Sequence, residues 1–288
     1  MSRSIHPFEA ALGAEVRGID LSTDINDAAF EQIKAAWNQY SVLLFRDQKI
    51  SPADQVRFTR RFGELEIHWL NEWIHPDHPE ILLVSNLIEN GRHIGVYNAG
   101  HYWHSDLSYM EEPSRGSFLY AIEIPERNGK PLGDTLFTST AVAYDALPEV
   151  MKKRIEDLSA VFSVANRNAK LSVAGDSGAT QTEEQRGKTP ETVHKVVRTH
   201  PVTGRKCIYV NEGHTSRIVG LPEEESRALI TELCVHVTRP EFIYGHRWRV
   251  GDFLMWDNVP TQHVATFDYQ LPQRRHLHRT TIKGDRPF

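Results

Sequence analysis

Cysteine is nearly absent. Two thiols, Cys207 and Cys234, in 288 residues exclude a disulfide framework, fit a reducing cytosol and read as buried structural thiols. No apolar run approaches the ~18 residues a membrane-spanning helix needs. The opening MSRSIHPFEAALGAEVRGIDL has no apolar leader segment, so a cytoplasmic protein is expected. Positive charge is not in excess either. Thirty-three Lys and Arg against 38 Asp and Glu leave a net charge of −5, with no electrostatic footprint for nucleic acid or an anionic membrane. Hydrophobic content of 40% and charged content of 25% exclude disorder, collagen and coiled coil. What is there in abundance is histidine: 15 residues, as many as aspartate.

The length suits a single domain spanning 1–288, with a core large enough to need no staple. Apolar spacing predicts a helix over 27–39, then a buried strand at Val42–Phe45. Ser51-Pro52-Ala53-Asp54 signals a second helix, ending by Gly63. Ile81–Val84 and Ser117–Ile124 read as strands, the latter closed by a turn at Asn128-Gly129. One long helix is expected over 140–158 and another over 222–238, with short strands at Cys207–Val210, Phe253–Trp256 and Arg279–Ile282. The stretch 165–192, poor in large apolar residues, reads as a long loop and a natural lid. Many short strands without a βαβ rhythm predict an α+β, mainly β fold, an antiparallel core with helices packed outside.

On a strand, residues i and i+2 share a face, so His-x-Asp sets an imidazole beside a carboxylate. About one such match is expected by chance at this composition, and there are two, His75-Pro76-Asp77 and His104-Ser105-Asp106. The first sits between prolines in HPDHPE and reads as a surface turn. The second lies in an aromatic, strand-compatible segment, and His263, after the strand-like FLMWDN, is the leading candidate for a third ligand. Two histidines and one carboxylate leave three positions open on a non-haem Fe(II). Arg274, Arg275 and Arg279 nearby could clamp an organic acid.

These segments, together with FGELEIH (62–68), GDTLFTS (133–139), VVRTHPVTGRK (196–206), VNEG (210–213) and QHVATFDYQLPQRRHLHRTTIKGDRPF (262–288), resemble the taurine dioxygenase/2,4-D dioxygenase family. Those enzymes use Fe(II), 2-oxoglutarate and O2. The resemblance runs through most of the chain and implies a double-stranded β-helix, or jelly roll, with the site in its open mouth. It implies His104, Asp106 and His263 as iron ligands, Thr135 and Arg275 as 2-oxoglutarate contacts, and Arg279 between co-substrate and substrate. By that alignment Arg274 is an exposed strand-start residue. It further implies hydroxylation of an unactivated C–H with succinate and CO2 as co-products, and a homodimer or homotetramer.

At the substrate end, His68 matches the residue that contacts the sulfonate of taurine, and with Arg279 would clamp an anion. Positions that grip taurine's amine or line its pocket read Asn71, Gly100, Leu107, Val164 and His214 here. The implied substrate is a small sulfonate or carboxylate, taurine-like or larger and less polar, with an aryloxyalkanoate as the alternative. Two rival classes are a zinc hydrolase, disfavoured by the missing HExxH and by the arginine clamp, and a jelly-roll binding protein without chemistry. His6, His75, His78, His93 and His236 read as surface or loop residues, and His276 and His278, on the last strand, as residues that pack there or support the site from behind.

Overall fold

A computed structural model of the chain describes residues 3–288 apart from 70, 99, 167, 169–182, 184–186 and 188. Its centre is an eight-stranded, mixed sheet. In spatial order the strands are Ser4–Pro7, Ala14–Arg17, Val42–Phe45, Phe253–Asp257, Gly116–Glu123, His276–Ile282, His78–Ser85 and Ile74–His75. All pairings are antiparallel except that of Ala14–Arg17 with Val42–Phe45. The central strands read as continuous apolar runs because both of their faces are covered.

Side chains alternate between those faces. Leu43, Phe45, Phe118, Phe253 and Met255 pack outward against helix α1 (Asp27–Tyr40) and helix α2 (Pro52–Arg60). Leu44, Leu119, Leu254, Trp256 and Leu277 point inward, onto Phe137 and Trp248. Phe137 belongs to a three-stranded sheet in which Thr135–Ser139 lies between Ile243–His246 and Thr261–Ala265. A further sheet of Thr192–Lys195, Ser159–Phe162 and Thr215–Ile218 carries its own apolar cluster under the helix Glu223–Val237.

The start of α2 follows its sequence signal. The Ser51 hydroxyl accepts from the Asp54 amide at 3.2 Å and the Asp54 carboxylate accepts from the Ser51 amide at 2.9 Å. The helix expected over 140–158 is instead two, Thr140–Asp145 and Glu149–Ile155. Pro148 lacks the N–H that would continue the ladder, and its ring would clash with the preceding turn. The expected lid at 165–192 lies mostly outside the described residues; Thr192 opens a strand.

His75 and His78, expected as surface or loop residues, are strand ends flanking the Pro76-Asp77 turn and are half-buried. His75 and His278 stand 5.4 Å apart between ring centroids, and His276 and His278 5.1 Å apart. Burial, then His276, His75 and His78 nearby, pull His278 down to about 3. Burial also lowers His276, which faces Glu123, Arg274 and Glu89, and His75, which adjoins His78 and Asp77. A folded pKa below the unfolded value of about 6.5 means the unfolded chain binds more protons between the two. Stability from these groups is therefore complete above pH ~6.5 and declines as pH falls toward 3. The urea midpoint should fall steadily from pH 7 to 4, and His278→Gln should flatten that slope; an unchanged slope would contradict the linkage.

Candidate metal centre and its surroundings

An isolated antiparallel bridge joins two distant parts of the chain: the His104 amide donates to the His263 carbonyl at 3.1 Å, and the His263 amide donates back at 2.8 Å. The bridge sets the two imidazoles side by side, with ring centroids 4.2 Å apart. Asp106, two residues after His104, completes the group. His104 Nε2 lies 3.7 Å from Asp106 Oδ1, and His263 Nε2 lies 3.9 Å from Asp106 Oδ2. Potential ligand atoms of all three residues lie within 4.8 Å of one another, which suits a single metal ion.

The surroundings prepare these groups for a cation. His104 Nδ1 sits 2.8 Å from the Tyr102 carbonyl, which can only accept, so Nδ1 carries the proton and Nε2 offers its lone pair. Burial, followed by the neighbouring His104, pulls His263 down to about 3 and keeps it neutral. Burial would raise the Asp106 carboxyl, but Arg279, His263, His104 and the Ser117 hydroxyl together outweigh it and hold it far below the carboxylate range. Arg279 Nη1 donates to Asp106 Oδ1 at 3.0 Å, and Ser117 Oγ donates to Oδ2 at 2.7 Å.

Thr135 and Arg275 lie further along the inner surface. Phe137 pairs directly with His263, so Thr135, two residues earlier, shares the histidine's face. Thr135 Oγ1 accepts the Trp248 indole N–H at 2.9 Å, which leaves its own proton to donate elsewhere. Trp248, fully buried, thus orients this hydroxyl.

Arg275 has the same strand parity as Leu277 and Arg279, and its side chain is buried beside Tyr269 and Gly133. A Cβ at Gly133 would stand 3.0 Å from Arg275 Nε, and φ is +76° there, so glycine makes room for the guanidinium. Arg275 Nε is buried with no hydrogen-bond partner, and no acid pairs with this cation among the described residues. A buried, unpaired guanidinium is costly and suits an incoming carboxylate. Arg274 points away, in an exposed pair with Glu123 at 2.6 Å.

The remaining candidates are spread around the triad. Burial and then Arg279 pull His68 down to about 3, with Asp106 partly opposing, so all three share one field. Gly100, with φ +89°, sits where a Cβ would be 3.8 Å from His104 Cε1. Leu107 adopts φ 53°, costly for leucine, and this turn sends its side chain into the cluster that holds Val164 and Tyr109. His214 lies 5.8 Å from His104 and 4.9 Å from Tyr109 between ring centroids. Trp69 donates to the Tyr109 hydroxyl at 3.1 Å. Asn71 is exposed at the start of a short turn, Asn71–Trp73. Tyr109, Trp69, Ser117 and Asn258 have no assigned role in the sequence reading. Tyr109 stands three residues after Asp106 and Asn258 ends the FLMWDN run, and that proximity is the sequence signal for them.

A family model described as taurine catabolism dioxygenase TauD, TfdA family, matches residues 4–281. The chain belongs to this family. It is 37% identical over 284 residues to pentalenolactone F synthase of Streptomyces avermitilis, covering 95% of this chain and 91% of that protein. It is 34% identical over 295 residues to the α-ketoglutarate-dependent 2,4-dichlorophenoxyacetate dioxygenase of Cupriavidus pinatubonensis, covering 99% of each. The crystal structure of a taurine dioxygenase from Burkholderia xenovorans superposes with a TM-score of 0.82 at 30% identity, covering 100% of this chain and 91% of that one. The protein is accordingly an α-ketoglutarate-dependent dioxygenase that uses Fe(II), 2-oxoglutarate and O2. Its relatives act on small organic substrates, and among the described residues no helix is long and apolar enough to cross a membrane.

Proposed function

We propose that this enzyme hydroxylates a small organic anion, a sulfonate or carboxylate, at an unactivated C–H within one catalytic unit spanning 1–288. Its sheets would form a double-stranded β-helix. The observation that carries the reading is the pairing of the His104–Asp106–His263 group with a buried cation, Arg275, that has no acid partner among the described residues. When bound, iron and 2-oxoglutarate supply the oxidising chemistry: one oxygen atom of O2 enters the substrate, the other enters succinate, and CO2 leaves.

The chain's residues bind and orient. His104, Asp106 and His263 would hold the iron. Arg275 would form a two-pronged ion pair with the distal carboxylate of 2-oxoglutarate, while Thr135 donates its hydroxyl proton to the same group. Arg279 neutralises Asp106 and, with the neutral N–H of His68, would receive the substrate's anionic group. Leu107, Val164, Tyr109 and His214 offer an apolar and aromatic wall for the rest of the substrate and exclude water from it. Gly100 leaves space beside His104. Asn71 would approach the substrate's far end. That wall supports the second reading, an aryloxyalkanoate substrate. Likeness to the family further suggests a cytoplasmic homodimer or homotetramer.

Anaerobic addition of Fe(II) and 2-oxoglutarate should produce a weak visible charge-transfer band that His104→Ala lacks. A panel of taurine, alkyl and aryl sulfonates and aryloxy acids, scored by succinate release, should favour substrates less polar than taurine. Turnover of taurine far above all the others would overturn the substrate reading.

A further inference from the structure

Asp106 is held at four points. Both of its carboxylate oxygens accept hydrogen bonds, its carbonyl accepts from Ser114 Oγ at 3.0 Å, and its amide lies 3.4 Å from Asn258 Oδ1. Three of these four contacts lead to Asn258, which has no solvent exposure. Its orientation follows from hydrogen-bond polarity. The Trp256 indole, 2.9 Å from Asn258 Oδ1, can only donate, so the amide oxygen must face it. The amide's two N–H groups then point to Ser114 Oγ and Ser117 Oγ, each at 3.0 Å.

A serine hydroxyl has a single proton. With its oxygen already accepting from Asn258, Ser117 must turn that proton outward, and the acceptor there is Asp106 Oδ2 at 2.7 Å. The same logic sends the Ser114 proton to the Asp106 carbonyl. We infer that Asn258 is a positioning residue that, through Ser117, fixes the orientation of the metal-facing Asp106 carboxylate. Trp256 anchors this relay, and all its members are buried, where a reversed or missing donor is costly. Hydrogen bonds to a metal-ligating carboxylate hold its geometry, and losing one typically weakens the metal about 10–100-fold.

The inference rests on the reading that the triad binds the metal, so its test uses Co(II), monitored through its visible absorption, without 2-oxoglutarate or turnover. Ser117→Ala should raise the Co(II) dissociation constant about 10–100-fold and change the band shape. Asn258→Asp, which offers Ser117 an acceptor in place of a donor, should weaken Co(II) at least as much. Ser226→Ala removes another buried hydroxyl, one that accepts from the Ile218 amide at 2.7 Å and makes no hydrogen bond to the triad among the described residues. It should leave Co(II) affinity unchanged even where it lowers the melting temperature. If Asn258→Asp fails to fold, Ser117→Ala decides alone. Equal affinity in Ser117→Ala and the parent protein, or equal losses in Ser117→Ala and Ser226→Ala, overturns the role of Asn258 while leaving the metal centre intact. A parent protein whose Co(II) spectrum is unaffected by His104→Ala overturns both readings.

Discussion

Asp106→Asn is expected to lose bound iron and to reduce turnover by at least about a thousandfold, since metal-centred charge stabilisation is worth several kcal/mol and each 1.4 kcal/mol is tenfold. The substitution keeps the shape and can still accept from Ser117, yet it removes the negative charge that lies between the two imidazoles and the Arg279 guanidinium. Two imidazole nitrogens beside an uncompensated arginine make a poor cation site. Arg279 would be left half-buried without its partner, so a fall in melting temperature should accompany the loss. Metal content by elemental analysis and succinate release on the same samples check this. Stoichiometric iron together with turnover above a hundredth of the parent would contradict the assignment of Asp106.

The second large effect concerns Arg275. Arg275→Leu should raise the KM for 2-oxoglutarate by about 30-fold to several thousandfold, the 2–5 kcal/mol cost of removing one partner of a buried charge pair. The free protein behaves in the opposite sense. Its Arg275 Nε lies buried without a hydrogen bond, so the leucine variant should be no less stable than the parent when no ligand is present. What should vanish is the increase in melting temperature that 2-oxoglutarate produces. Arg274→Ala is the internal comparison: its exposed pair with Glu123 is worth at most about 1 kcal/mol and lies off the inner face, so KM should not move. A 2-oxoglutarate KM that responds to Arg274 and not to Arg275 would reassign the clamp.

The elements legible in the sequence are those that local chemistry decides. The Ser51–Asp54 cap and the apolar runs at 42–45 and 81–84 needed only spacing and composition. The apolar content of 140–158 predicts a continuous helix, yet the missing N–H at 148 breaks the ladder however apolar its flanks are. The half-buried histidines 75 and 78 depart from expectation for a similar reason. Turn chemistry at Pro76-Asp77 is correct, but it says nothing of the last strand, whose His278 packs against His75.

By itself, the sequence determined the family, through motifs in fixed order, and the His104–Asp106 pair, because two residues apart is a distance the backbone sets. Tertiary structure alone decided the rest of the centre. His263 reaches His104 only through an antiparallel bridge between remote segments. Arg275 is separated from Arg274 by which face of the last strand is buried. Ser117 and Asn258 look in the sequence like ordinary polar residues, yet they lie at zero exposure, where every hydroxyl and amide must find a partner of the correct polarity. Which partner each one finds depends on strands far apart in the chain, and no local pattern encodes that.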